Sequence, residues 1–283
     1  MKINLLLFFI VIFITCCSNS NVNSFNNSSE LSFENVVKLF ENEKYLRAKE
    51  EFAFLIFNNP GSKDAIDSQF YYAECLFHLK NYSDAIKEYQ KYISISTDFH
   101  LIKISKYLIC RCYFELSLEF DKDQRNTKTA IDKSQQFIEE YIDSKHKSVE
   151  LHNKKVNLIS FTENMIKDLR AKLAKKNFES GKLYMRIEEY DAALTYFNLI
   201  LMEYYDSPLV DDAMFNIVMT NILKGDESEA VEYFELHKTD FISNEKLLST
   251  KQLLENTKSM DKSSHYILGI LIGSYILQLN LSK

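Results

Sequence analysis

Apolar residues return every three or four positions over most of the chain, the mark of helices that bury one face. Short polar breaks interrupt these runs, and the residues around the breaks repeat. Tyr45-Leu46-Arg47-Ala48 is followed by Phe52 and Pro60, and Tyr82-Ser83-Asp84-Ala85 by Tyr89. Tyr190-Asp191-Ala192-Ala193 leads to Phe197 and is preceded by Gly181 and Tyr184. Ala230 leads to Phe234 after the turn Gly225-Asp226. Ala48 and Ala85 stand 37 positions apart, as do Ala193 and Ala230. Between the pairs, the periodicity predicts a helix over 104–118 and another over 129–141, with Ala130 and Phe137 on its packed face. A polar insertion, Glu119 to Lys128, separates these two, and a long polar helix is expected over 148–176.

The residue types have a packing logic. A small residue late in a first helix, Ala73 or Gly181, and the Ala that opens the second let two helices approach closely. The aromatic four positions later lies on the same face and fills the space between neighbouring hairpins. This unit resembles the tetratricopeptide repeat, and self-similarity at such a period marks a stacked array. The expected fold is all-α: a right-handed superhelical solenoid of about five tetratricopeptide-like helical hairpins with a concave surface. Helix geometry points Val37, Phe40, Glu41, Phe70, Glu74, Phe77 and His78 into a peptide-binding groove on that side.

Composition supports this and closes other routes. Only 5 Gly and 2 Pro occur in 283 residues, too few for the tight turns of a β-sandwich, barrel or propeller. There is no Gly-rich phosphate loop. Net charge is −6 with acids and bases interspersed, so no basic face for nucleic acid is expected. Six scattered histidines and the adjacent carboxylates Glu139-Glu140 and Glu188-Glu189 form no catalytic or metal-binding spacing. The chain is read as a non-enzyme without cofactor or metal. Cys75, Cys110 and Cys112 fall within apolar helical patterns and read as small core residues; a disulfide from Cys75 to either of the others is the alternative.

The two ends differ from the body. Met1-Lys2, the apolar run Leu5–Ile14 and then Cys16-Cys17-Ser18 read as an export signal too short to span a bilayer. The cysteines resemble the acceptor of a bacterial lipoprotein signal, with Cys17 preferred and Cys16 the alternative. Residues 17–32, rich in Asn and Ser, read as a flexible tether. At the other end, Tyr266 to Leu277 is uncharged and strongly apolar. It reads as a final helix packed on the solenoid, with a membrane or partner contact as the alternative.

An exported lipoprotein signal, five such units and a linking helix together resemble the BamD family of outer-membrane protein assembly lipoproteins. The local matches are Asp121-Lys122-Asp123-Gln124-Arg125 running to Ala130-Ile131, and Leu169-Arg170-Ala171-Lys172-Leu173-Ala174. Gly181-Lys182-Leu183-Tyr184 and Tyr204-Tyr205-Asp206-Ser207-Pro208 follow. The resemblance implies a lipid-anchored protein on the periplasmic face of the outer membrane of a Gram-negative bacterium. Its C-terminal units would dock a BamA-like barrel subunit, beside other lipoproteins of the assembly machine. Its N-terminal units would receive unfolded outer-membrane protein substrates. The competing reading is another periplasmic repeat lipoprotein, serving cell-division coordination or glycan uptake. The expected organisation is a signal over 1–16, a tether over 17–32, an N-terminal repeat half over 33–146, a linking helix with a C-terminal half over 147–245, and a tail over 246–283.

Overall fold

The computed structural model describes residues 32–143, 148–151 and 154–259. Cys16, Cys17, His146 and the run Tyr266 to Leu277 lie outside the described residues, and with them the anchor, the tether up to residue 31 and the apolar part of the tail; residues 246–259 of the expected tail are described and belong to a helix, Asn244–Ser259, that packs on the solenoid. Among the described residues the chain forms eleven helices: α1 (Phe33–Glu41), α2 (Tyr45–Asn58), α3 (Lys63–His78), α4 (Tyr82–Ile95), α5 (Phe99–Glu115), α6 (Arg125–Tyr141), α7 (Leu158–Arg186), α8 (Tyr190–Glu203), α9 (Val210–Lys224), α10 (Glu227–His237) and α11 (Asn244–Ser259). Each packs on the next in sequence, as short connections between antiparallel helices require. In addition α3 touches α1 and α5, and α5 touches α7. Hairpins therefore stack side by side into an all-α solenoid of five units, with α11 laid against α9 and α10.

One turn is used four times. After α1, α3, α7 and α9 a single residue takes a left-handed conformation: Glu43 (φ 59°), Lys80 (φ 62°), Glu188 (φ 64°) and Gly225 (φ 91°). The next N–H then returns to the carbonyl five residues back: Lys44 to Leu39, Asn81 to Leu76, Glu189 to Tyr184, Asp226 to Asn221. That closes the free carbonyls of the first helix and aims the chain into the second. Three of the four turns do this without glycine, at about 1 kcal/mol each for a Cβ in that region. The missing glycines of the composition are explained here. The α5–α6 connection is the exception and carries the polar insertion instead.

The small-residue logic holds. Ala48, Ala73, Ala85, Ala130, Ala193 and Ala230 are fully buried, with Phe52, Tyr89 and Phe197 beside them. Gly181 is the tightest case, with Phe197 packed directly over its Cα. Cys75, Cys110 and Cys112 are buried free thiols, as the core reading expects. Burial pushes the thiols of Cys75 and Cys110 up to about 12, which leaves them unreactive.

The linking segment departs from expectation. No helix begins at Ser148. Residues Ser148–Leu151 (β1) and Lys154–Asn157 (β2) pair antiparallel, with Val149 opposite Val156. The signal was legible: Val149 and Leu151 alternate with polar residues, and Asn157 is a good helix opener. Its side chain accepts from the N–H groups of Ile159 and Ser160 at 3.2 and 3.3 Å. From there α7 runs for 29 residues, past the expected end and through the first helix of the fourth unit. Leu158, Ile159 and Met165 belong to a core shared with α3 to α6, whereas Leu173, Ala174 and Met185 belong to a core shared with α8 to α11. One helix thus contributes to both.

Candidate functional site

Of the segments that carried the family resemblance, Leu169–Ala174 and Gly181–Tyr184 lie on α7, and the insertion and the Tyr204–Pro208 turn are bonded to it. The insertion is no loose loop. Gln124 is 7% exposed, and its amide donates to the Glu119 and Lys122 carbonyls at 2.6 and 3.0 Å. The Thr127 hydroxyl donates to Gln124 Oε1 at 2.7 Å, Ser117 and Thr127 share a hydrogen bond of 2.7 Å, and Asn126 reaches the Leu116 carbonyl. From α7, Lys172 donates to Ser117 Oγ at 2.8 Å and Lys176 to the Lys122 carbonyl at 3.0 Å. Lys175 lies over the Phe120 ring. Cations of one helix thus close the exposed carbonyls of a turn more than fifty residues away.

On the other side α7 holds the α8–α9 turn. Arg170 grips Asp206 through Nε at 3.0 Å and Nη2 at 2.7 Å, and Nη2 also donates to the Glu203 carbonyl at 2.7 Å. Its guanidinium lies over the rings of Tyr204 and Tyr205. The hydrogen bonds from Arg170 hold the Asp206 carboxyl below the usual carboxylate range. A lowered folded pKa means the pair stabilises the fold above the unfolded value near 4, and that gain fades as pH falls through the folded value. Arg170→Ala is expected to cost about 1 kcal/mol at pH 7, since the pair is part-exposed yet two-pronged. Urea unfolding of the wild type and variant should converge below pH 4. An unchanged difference at pH 3 would locate the loss in packing alone.

The residues assigned to the groove behave unequally. Phe40, Phe70 and Glu74 are 9%, 7% and 2% exposed, so they are core and do not line an open surface. The reason is that α3 is flanked by α1, α2, α4 and α5, leaving its 70/74 stripe facing α4. Phe70 packs on Tyr89 and Tyr92, and the Tyr89 hydroxyl donates to Glu74 Oε1 at 2.6 Å. Burial, then the Glu74 charge, raise the Tyr89 hydroxyl well above its ordinary range. Val37, Phe77 and His78 are half-buried and Glu41 is exposed. His78 stacks face to face on Tyr45 with ring centroids 4.3 Å apart, and meets Phe40 edge-on. Arg111 of α5 covers Phe77. These four are the members of the set that keep part of their side chain at the surface.

A second surface was missed. Between α8, α9 and α10 lies a cleft of about 490 Å³, lined by Leu194, Asn198, Ile217, Asn221, Lys224, Asp226, Glu229 and Tyr233, among others. Asn221 is 4% exposed, and burial raises the Tyr233 hydroxyl strongly. Lys224 is held by Asp191 and Asp226 at 2.9 and 3.1 Å. The lining offers amides, a hydroxyl and paired charges, which suit hydrogen bonding to a peptide backbone. Nothing in the sequence pattern marks it, because its residues come from three helices. Among the described residues no group of three or more His, Cys, Asp or Glu side chains is placed to hold a metal. Nor is any described helix long and apolar enough to cross a membrane.

A curated protein from Rickettsia prowazekii (strain Madrid E), "Outer membrane protein assembly factor BamD", is 22% identical over 195 residues, covering 69% of this chain and 73% of its own. Among solved structures, MamA protein aligns at 16% identity over 77% of this chain and 88% of its own, with a TM-score of 0.30. A putative kinesin light chain from Podosopora anserina with nearly identical TPR-like repeats aligns at 11% identity over 73% of this chain and 91% of its own, at 0.32. Superpositions this loose do not define the fold, which rests on the hairpins themselves. The family model YfiO, described as outer membrane lipoprotein, matches residues 26–236, from the approach to α1 almost to the end of α10. The chain belongs to that family of outer membrane lipoproteins.

Proposed function

We propose that this chain is a lipid-anchored scaffold of the machinery that assembles β-barrel proteins into the outer membrane, acting on its periplasmic face. Cys17, or Cys16, carries the anchor. The C-terminal units, with the cleft at Asn198, Asn221 and Lys224, dock a BamA-like barrel subunit. The N-terminal units receive unfolded outer-membrane protein segments along Val37, Glu41, Phe77 and His78. Such work is recognition: a segment is held by hydrogen bonds and apolar contact, and no side chain needs to act as acid, base or nucleophile. The observation that supports the reading is family membership over 26–236, which spans both surfaces and the joint between them.

Depletion from cells followed by quantification of the outer membrane should show barrel proteins falling several-fold while lipoproteins of the same membrane persist. Unchanged barrel levels would refute the reading. A pull-down of the lipidated protein from solubilised envelope should recover a BamA-like subunit, and recovery of cell-division or glycan-uptake proteins alone would replace it.

A further inference from the structure

Helices α1 to α6 alternate in direction, so every turn from an even helix to the next odd one lies on the same edge of this half. Two such turns are Asn58-Asn59-Pro60-Gly61-Ser62 and Ser96-Thr97-Asp98, which contain one acid and no base. Flanking them, at the helix ends, are the most exposed phenylalanines of the described chain: Phe57 at 82% and Phe99 at 85%. Ile95 at 44% and Phe54 at 54% accompany them, Phe54 lying one turn before Phe57 on the same helix face. The opposite edge is different. Its turns carry Glu43, Lys44, Lys80 and Asn81, and its apolar residues Leu46 and Leu79, at 58% and 39%, are less exposed than Phe57 and Phe99.

Ser32, the first described residue, lies toward the aromatic side. Ser32 caps α1 through Asn35, and Phe33 packs on Phe52 with ring centroids 6.1 Å apart. Phe52 precedes Phe57 by five positions on one helix, about 7.5 Å of rise. Residues 18–31 separate Cys17 from Ser32. Fifteen residue steps span at most about 50 Å even when fully extended, so an anchored Cys17 keeps this edge within that reach of the lipid. Exposed phenylalanine and isoleucine side chains beside turns of mostly uncharged polar residues are what the headgroup/acyl boundary of a bilayer accepts.

We propose that the edge formed by Phe57, Ile95 and Phe99 rests in the headgroup region of the lipid surface to which the chain is anchored. The proposal depends on the lipid-anchor reading given above. It fixes the orientation of the solenoid: α1 to α4 stand on end at the membrane, and the charged turns at Glu43 and Lys80 point away from it. Because Asp64, Asp67 and Asp98 outnumber Lys63 here, the contact is apolar; added salt does not release it and anionic lipid does not strengthen it.

The chain contains no Trp, so one substitution installs a single reporter. Phe57→Trp, Phe99→Trp and, on the opposite edge, Leu79→Trp are made in the full-length lipidated protein. Each is reconstituted in phosphatidylcholine vesicles with and without brominated acyl chains. The first two should shift to the blue and lose about half or more of their emission to brominated lipid, while Leu79→Trp stays aqueous. Flotation is measured on the same samples. Protein that floats while Phe57→Trp and Phe99→Trp stay aqueous overturns the edge contact and leaves the anchor standing. Protein that does not float overturns both. A blue shift that grows with protein concentration without lipid assigns the edge to a second copy of the chain and also overturns the proposal.

Discussion

Gly181→Ala is expected to lower unfolding free energy by about 1–2 kcal/mol, and Gly181→Leu by about 3 or more. A Cβ built on Gly181 falls 2.6 Å from Phe197 Cε1, with two further ring atoms at 2.8 and 2.9 Å. The ring has little room to give way: Phe197 is fully buried and packs against Phe178 with ring centroids 5.8 Å apart. Alanine would otherwise gain about 1 kcal/mol in a helix interior, so the measured loss is what remains after that gain. The pair can be tested as a pair. Phe197→Ala alone should cost about 3–5 kcal/mol, and Gly181→Leu with Phe197→Ala should cost at least about 1 kcal/mol less than the sum, because the leucine occupies the space the ring leaves. Urea unfolding monitored by circular dichroism gives all four values. Full stability in Gly181→Ala would mean that α7 and α8 are not as close as described.

Glu74→Ala should be comparably damaging, at about 3 kcal/mol, or a fall of roughly 6–12 °C in unfolding midpoint for a chain of this size. It leaves the Tyr89 hydroxyl buried without its acceptor and opens a gap between α3 and α4. Glu74→Gln keeps an oxygen in place and should lose well under half as much. Tyr89→Phe should fall between the two, because it strips one hydrogen bond from a buried carboxylate and adds no cavity. The order Ala, then Phe, then Gln distinguishes a buried hydrogen bond from general packing. Equal losses from Glu74→Ala and Glu74→Gln would assign the effect to the charge instead.

The sequence made the repeats readable because their determinants are local. An Ala opening a helix, an aromatic one turn later and a small residue twelve positions earlier are all decided within one hairpin, and Gly181 with Phe197 is the sharpest instance. The left-handed turns at Glu43, Lys80 and Glu188 were hidden for the opposite reason. The backbone bond to the carbonyl five residues back holds them, and any side chain without a branched Cβ can pay for the strain. In the linking region the polar helical pattern begins only at Leu158, and the alternation of Val149 and Leu151 before it is that of a strand. The groove residues failed on a different count. Helical spacing correctly placed Phe70 and Glu74 on one stripe, yet spacing along one helix cannot tell which neighbour that stripe will meet. Only the stack of α1, α2, α4 and α5 around α3 decides it. Contacts such as Arg170 with Asp206, and the cleft at Asn198, Asn221 and Tyr233, depend on helices far apart in sequence and leave no periodic trace.

The continuity of α7 has a kinetic consequence for whatever the two halves bind. At 1.5 Å per residue it is a rod about 43 Å long, braced at Ser117 and Lys122 on one side and at Asp206 on the other. Two ligands seated on opposite halves cannot drift apart as they would on a flexible linker. Their mutual encounter becomes intramolecular, with an effective concentration set by the rod rather than by the surrounding solution. A stiff bridge helps only when the sites it carries already match the distance between the ligands' reacting parts, and otherwise forbids their meeting. The length of α7 is therefore a gauge, and inserting or deleting a helical turn in it would change that spacing without substituting a residue of either proposed surface.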